Sequence, residues 1–446
     1  ITTKRGTGEI PTVSFNAYYG ISQLRKSIEV LNTREYRDLM QEIVQTVDPT
    51  RTDFNNWVDE TFGTGQIQNY EFSFSGGTEK SNYFLSLGYL SNEGIVKPAK
   101  YDRYTVRLNL DNELKSWLKI GTSLNVLRLD TKDTPDNASS GRGGVIMSAL
   151  NTPPFLNTYQ GENDPGFELT DTTWYDPNPF QPSWENPVAY MDGPEQRSVN
   201  NRMQGNIFAE IGLMKELNFK TKFGADVNSS QWDYYLNPFQ TNYGRVNNGL
   251  GRSNKWNGFT WLWENTLNYA KTFGKHNVTG MLGSSLQKYQ GNNSYLEGND
   301  FPDDVNVMTL NAANTISGNT TMEEWALASF FGRVTYDFSS KYYVTVTVRE
   351  DGSSKLAQQW GTMPSFSAGW RISSENFMKN IKIIDDLKIR GGWGKNGNQE
   401  GIPNYAKYGL IGYTRVTPTN PLSGPASYQY TYGNPDLRWE TTAQTN

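Results

Sequence analysis

The sequence predicts an all-β protein, a transmembrane antiparallel up-and-down β-barrel with long loops at one end. Three observations predict it. Apolar residues recur at every second position in many segments, such as Tyr104, Val106, Leu108 and Leu110 between Thr105, Arg107 and Asn109. Tight turns alternate with long connections along the chain. Aromatic residues make up 13% of the chain and glycine is abundant at 42 residues, yet the mean hydropathy is −0.68. A barrel that hides its apolar residues at alternate positions has this profile.

The alternation recurs at Leu217–Val227 and at Tyr342–Val348. Successive side chains of a strand point to opposite faces, so each segment has one apolar face and one carrying mainly Lys, Arg, Asp, Asn or Thr. There are about thirteen such strands of roughly ten residues, the length that spans a bilayer when tilted. The first begins near Pro11 and Thr12. Tight turns fall near Gly76–Lys80, Asp111–Ser116, Met214–Glu216, Lys271–Lys275 and Ser339–Ser340. Long connections are expected over 131–201, 229–257, 289–324 and 395–446, with shorter ones at 91–100 and 350–363. The two kinds keep to opposite ends as far as Asn396, an order a soluble sandwich has no reason to keep. Two helices are expected. Thr33–Val44 has Thr33 as N-cap and Glu35 in its first turn, and Ser373–Asp386 carries apolar spacing at Phe377, Ile381 and Ile384.

Composition narrows the function. No apolar run reaches 18 residues, which removes a transmembrane helix but not a barrel. The net charge of −5 gives no basic footprint for nucleic acid. The absence of cysteine removes disulfides, thiolate chemistry and Cys-ligated metals. No catalytic constellation is present, so no enzyme activity and no cofactor are expected. His276, the single histidine, reads as a solvated turn residue. Adjacent carboxylates at Glu323–Glu324 face opposite ways. Asp303 and Asp304, near Asn299 and Asp300, leave open a loop calcium site, with solvated loop charges as the plainer alternative. Gly391-Gly392-Trp393-Gly394 lacks the companions of a phosphate loop and reads as relief for a bent strand.

Several blocks resemble the SusC/RagA family of TonB-dependent outer-membrane transporters. Ile1–Gly6 resembles the last strand of that family's plug, and Pro11–Gly20 its first barrel strand. Further blocks follow in order at 80–97, 101–110, 349–355, 364–380, 387–399 and 434–446. The resemblance implies a barrel of about 22 strands around a plug, of which this chain holds about thirteen. It implies residues 1–10 as the end of the plug, 11–396 as barrel strands with loops, and 397–446 as an outside loop leading to missing strands. It further implies energy from TonB through a segment missing here, contact with outer-membrane lipid, and a SusD-like surface lipoprotein as partner. The cargo would be a large nutrient, an oligosaccharide ahead of a peptide of the RagA kind. Two other readings stay open: a surface glycan-binding β-protein without transport, and a passive porin.

The ligand or partner contacts are sought in the longest outside loop, at Trp174, Tyr175 and Trp184. Exposed rings there would stack on sugars or supply rigid contact area. The alternative is that they pack within the loop. Trp232, Tyr234, Tyr235, Trp256, Trp261 and Trp263 read as an aromatic girdle. Arg107, Lys220, Lys222, Asp226 and Arg349 read as lumen charges.

Overall fold

The structure is a computed structural model describing residues 10–43, 47, 50, 52–134, 144–170, 172–180, 185–302, 308–378, 381, 383–415 and 425–446. The strands are β1 (Thr12–Ser22), β2 (Gly65–Gly77), β3 (Ser81–Glu93), β4 (Lys100–Lys115), β5 (Leu118–Lys132), β6 (Pro194–Met214) and β7 (Leu217–Leu236). They continue as β8 (Leu250–Phe273), β9 (His276–Asn299), β10 (Thr315–Phe338), β11 (Tyr342–Ser353), β12 (Trp360–Arg371) and β13 (Lys388–Asn398). After them come β14 (Ile411–Arg415), β15 (Pro425–Gln429) and β16 (Glu440–Thr445). β1 to β13 and β16 form one 14-stranded antiparallel sheet in chain order, while β14 and β15 form a separate hairpin. Among the described residues the sheet is open, with β1 and β16 at its edges.

Alternation sets the two faces. One row of cross-strand partners runs Phe15, Phe72, Leu87, Val106, Val126, Met203, Val227, Phe259 from β1 to β8. Many large apolar side chains on this face are exposed, among them Phe15, Met203, Leu282, Phe330 and Val334. A contiguous apolar surface of this extent is a lipid-facing surface and not one meant for water. The next row, on the other face, runs Ser86, Arg107, Asn125, Gln204, Asp226, Thr260, Tyr289, Trp325 from β3 to β10. Asp226 in this row is paired. Arg202 holds Asp226 through two bonds of 3.0 and 2.5 Å, and Gln204 adds a third at 2.8 Å. By the same parity Lys220, Lys222 and Arg349 lie on this polar face. They reach Glu210, Glu264 and Asp351 at 3.6, 3.6 and 2.7 Å.

Strand lengths depart from the expectation of roughly ten residues. β6 and β7 have 21 and 20 residues, and β8, β9 and β10 have 24 each. At about 3.4 Å per residue and a tilt of about 40°, 24 residues rise about 60 Å, more than twice an apolar band of about 25 Å. The expected loops shrink accordingly, to 133–193, 237–249, 300–314 and 399–439. Apolar alternation stops at the membrane edge, but ladder hydrogen bonds do not need it. The polar stretch Gly291-Asn292-Asn293-Ser294 therefore stays paired on both sides.

A second correction concerns 397–446. The chain returns as β16, which pairs with β13 from Trp393 opposite Thr445 to Asn398 opposite Glu440. Residues 1–6, expected as the last plug strand, lie outside the described residues.

The tight turns occur where expected, at 78–80, 116–117, 215–216, 274–275 and 339–341. Two of them use left-handed backbone at Gly274 (φ 62°), Ser339 (φ 56°) and Ser340 (φ 54°). The first helix is α1 (Thr33–Glu42), but its cap is Asn32 and not Thr33. The Asn32 side chain accepts from Arg34 and Glu35 backbone N–H, and Glu35 accepts from Asn32 N–H at 3.0 Å, completing a capping box. The Thr33 hydroxyl instead bonds the Asp53 carbonyl. The expected helix over Ser373–Asp386 is replaced, among the described residues, by short 3₁₀ turns at Ile372–Ser374 and Asn376–Met378.

Candidate functional site

Three long connections meet at one end of the sheet. The β1–β2 connection supplies α1 and α2 (Trp57–Thr61), the β5–β6 connection supplies α3 (Gly144–Asn151) and α4 (Pro187–Asp192), and the β7–β8 connection supplies α5 (Asn242–Val246). The first two share an apolar core including Met40, Trp57, Val145, Ala149, Phe155 and Tyr175, and the third is tied to it by the Tyr175 N–H, which donates to the Gln240 carbonyl at 2.9 Å. Trp57 is 2% exposed and donates its indole N–H to the Pro153 carbonyl at 3.0 Å. Asn55 binds the Pro154 and Leu156 carbonyls, each at 2.7 Å. The Asn186 side chain caps α4 at Ala189 and donates to the Thr158 carbonyl at 2.9 Å. The Tyr243 backbone N–H donates to Glu185 at 3.2 Å. A core of this kind does not fit floppy loops. It makes the connections a small packed unit on the barrel mouth.

That core decides the placement of the loop aromatics. Tyr175 is 3% exposed and stacks on Tyr159 with ring centroids 5.0 Å apart. Burial raises both phenol pKa values, Tyr175 the more strongly. Its ring thus holds the loop compact. Trp174 is half-buried, with the Arg245 guanidinium 4.2 Å over one ring face. Trp184, Asp303 and Asp304 lie outside the described residues. Nearby Asp300 has both carboxylate oxygens engaged, by Asn248 at 2.5 Å and Asn314 at 2.8 Å. Among the described residues no cluster of His, Asp and Glu has the makings of a metal site.

The expected girdle divides by parity. Trp261 and Trp263 are on the apolar face, with Phe223 6.3 Å from Trp261. Trp232, Tyr234 and Trp256 are on the polar face, because they sit an odd number of residues from the apolar-face positions of their own strands. Tyr235 is buried against Phe301 of the 300–314 connection. A second aromatic band lies at the short-turn end, where Phe338, Tyr342 and Trp370 follow one another at 6.3 and 6.5 Å. His276 belongs there, bonded to the Tyr336 hydroxyl at 2.7 Å. Parity separates the two aromatic sets once the strand bounds and register are known.

At the same end Glu375 clips the β12–β13 connection to β11. It accepts from Lys341 at 2.9 Å, the Tyr342 hydroxyl at 2.8 Å and the Trp370 indole at 3.2 Å. These donors, Lys341 first, hold its carboxyl down to about 2.

An open sheet with a lipid-type face, a charged opposite face and a tall wall at one end narrows the class to an outer-membrane barrel. Residues 150–446 match the family "TonB dependent receptor-like, beta-barrel". The chain belongs to that family. Among curated relatives, TonB-dependent receptor P3 of Formosa agariphila is 29% identical over all of this chain and 44% of its own length. TonB-dependent receptor SusC of Bacteroides thetaiotaomicron is 28% identical over all of this chain and 46% of its own. The structure of the RagAB peptide importer in a closed-closed state superposes with a TM-score of 0.83 at 22% identity, covering 99% of this chain and 53% of that one. The chain thus spans about half the length of the relatives it matches.

This receptor barrel is an outer-membrane protein. Short turns face the periplasm in such barrels and long connections face outside. The packed loop unit and the upper halves of β6–β10 are therefore extracellular.

Proposed function

We propose that this receptor is part of an energised importer for a large nutrient, an oligosaccharide ahead of a peptide. The TonB complex would drive it, and a SusD-like lipoprotein would close over the extracellular mouth. The observation that carries this is the pairing of a charged, wet inner wall with a tall extracellular wall and a packed loop unit. The RagAB structure is that of a peptide importer, which keeps the peptide class as the alternative, and the saccharide reading rests on the aromatic and polar groups of the mouth. The Trp174–Arg245 pair would serve as a contact for the lipoprotein or cargo, next in the chain to buried Tyr175.

The test is growth and uptake by a strain deleted for the full-length gene. Loss of growth on one glycan class, restored by the wild-type gene and by a His276→Ala gene alike, is the expected result. Unchanged growth on every glycan and peptide tried would remove the import reading.

A further inference from the structure

On the inner face of β8, β9 and β10, three aromatic rings come together at the outer rim. Trp256, Tyr289 and Trp325 each have polar-face parity, and Tyr289 and Trp325 are direct cross-strand partners. Their planes lie within 25° of parallel, with centroids 5.8 Å apart. Beside them Gly258 and Gly291 face each other across β8 and β9. A Cβ at Gly258 would come within 2.5 Å of the Trp256 ring, and one at Gly291 within 2.2 Å of the Tyr289 hydroxyl. The two rings thus lie over bare backbone, which lets them lean along the wall.

Height places this group at the mouth. On β10 the apolar face runs from Phe338 to Phe330, a rise of about 20 Å at the usual strand spacing and tilt. Above it the outward-pointing Glu324 pairs with Lys288 at 2.9 Å, which marks the end of the lipid-facing band. Trp325 is the inward neighbour of Glu324, so the rings sit just at or above that rim.

Polar groups edge the rings. Glu323, on the same face, accepts from the Tyr289 hydroxyl at 3.2 Å and from Asn404 at 2.9 Å. The Lys355 ammonium stands 6.0 Å from the Trp325 ring centre. Aromatic faces with a carboxylate, an amide and an ammonium at their edge suit a ring that is apolar across its C–H face and hydroxylated at its rim. β8 and β9 are paired on both sides at this height, while β10 pairs with β9 throughout and with β11 only from Leu327 onward. The three rings lie on the polar face of the sheet, so a ligand stacked on them meets ring faces and not main-chain groups. Adjacent strands are about 4.8 Å apart, close to the length of one pyranose unit.

We propose that Trp256, Tyr289 and Trp325 form a stacking platform for successive pyranose rings of a neutral oligosaccharide, with Glu323 and Asn404 binding its hydroxyls. The proposal rests on the import reading only for the saccharide's reason to be there, since binding is measured without transport. Full-length receptor purified in detergent is titrated by calorimetry with maltoheptaose, cellohexaose, laminarihexaose and xylohexaose, and with a nonapeptide as the other cargo class. Binding of at least one saccharide is expected. Trp325→Ala and Trp256→Ala each weaken it about ten-fold or more, Trp325→Phe keeps most of it, and His276→Ala, at the short-turn end, leaves it within about two-fold. Heat-shifted gel mobility confirms that each variant barrel is folded. The proposal is overturned if no saccharide binds, if only the nonapeptide binds, or if the folded Trp325→Ala and Trp256→Ala receptors bind as the wild type does. Uptake in cells separates the two readings. Binding without uptake refutes import and keeps the platform, whereas uptake that both variants leave intact refutes the platform and keeps import.

Discussion

Trp57 is the side chain on which the extracellular loop unit most depends. It is 2% exposed and joins the β1–β2 connection to the β5–β6 connection through packing and one indole hydrogen bond. Removing about 200 Å² of buried apolar surface at about 25 cal/mol/Å² costs about 5 kcal/mol as an upper bound. The lost hydrogen bond adds about 1 kcal/mol, and measured truncations of buried aromatic residues cluster at about 3–5 kcal/mol. Trp57→Ala in the full-length receptor is therefore expected to loosen the loop unit by about 3–5 kcal/mol. The assay is amide hydrogen exchange in detergent micelles. Protection in α3 and α4 should fall by about two to three and a half powers of ten, up to the unprotected rate. Strands β8–β10 should keep theirs, because their ladders do not pass through Trp57. Unchanged protection in α3 and α4, or an equal loss in the barrel strands, would refute the reasoning.

Other expectations follow from the two faces and the periplasmic clip. Val334→Lys, on the lipid face, should destabilise the barrel by about 2–4 kcal/mol in urea unfolding from bilayers, while Thr335→Lys on the polar face should cost under about 1 kcal/mol. Glu375 has a folded pKa of about 2, below the ordinary value of about 4.3 for a free glutamate. Its contribution is thus complete above the unfolded value and is lost as pH falls from about 4 to about 2. Thermal unfolding should show wild type above Glu375→Gln at pH 7, with the gap closing across that window. Arg245→Ala should raise the mobility of the Trp174 loop, read as faster proteolysis within 160–175, without shifting barrel stability.

Much of the barrel was legible because alternation and turn chemistry are local. The Leu217–Val227 and Tyr342–Val348 segments state their faces in their own residues, and the turn at Ser339–Ser340 is marked by small polar residues. The heights of β6–β10 were not legible, since a polar strand such as Gly291–Ser294 has no apolar rhythm and is held by its neighbours' ladders. The end of the chain misled for a related reason. Glu440–Thr445 is exposed throughout and polar apart from Ala443, and only pairing with β13 makes it a strand. At the candidate site, Trp174 and Tyr175 stood out by composition, whereas Tyr175's role depends on burial among residues up to 135 positions away, such as Met40. The Trp256–Tyr289–Trp325 group is spread over three strands and becomes visible only with the register. The glycines at 258 and 291 were its sequence trace.

The central claim is that alternate residues of the long strands face lipid. The 446 residues contain no cysteine, so a single introduced one is unique within them. Cysteines placed one at a time from Gly332 to Phe338 in the full-length receptor, labelled with a bimane fluorophore and reconstituted with brominated lipid, read that directly. Quenching is expected at 332, 334, 336 and 338 and absent at 333, 335 and 337. Equal quenching at both sets, or quenching at neither, would contradict a lipid-facing barrel wall.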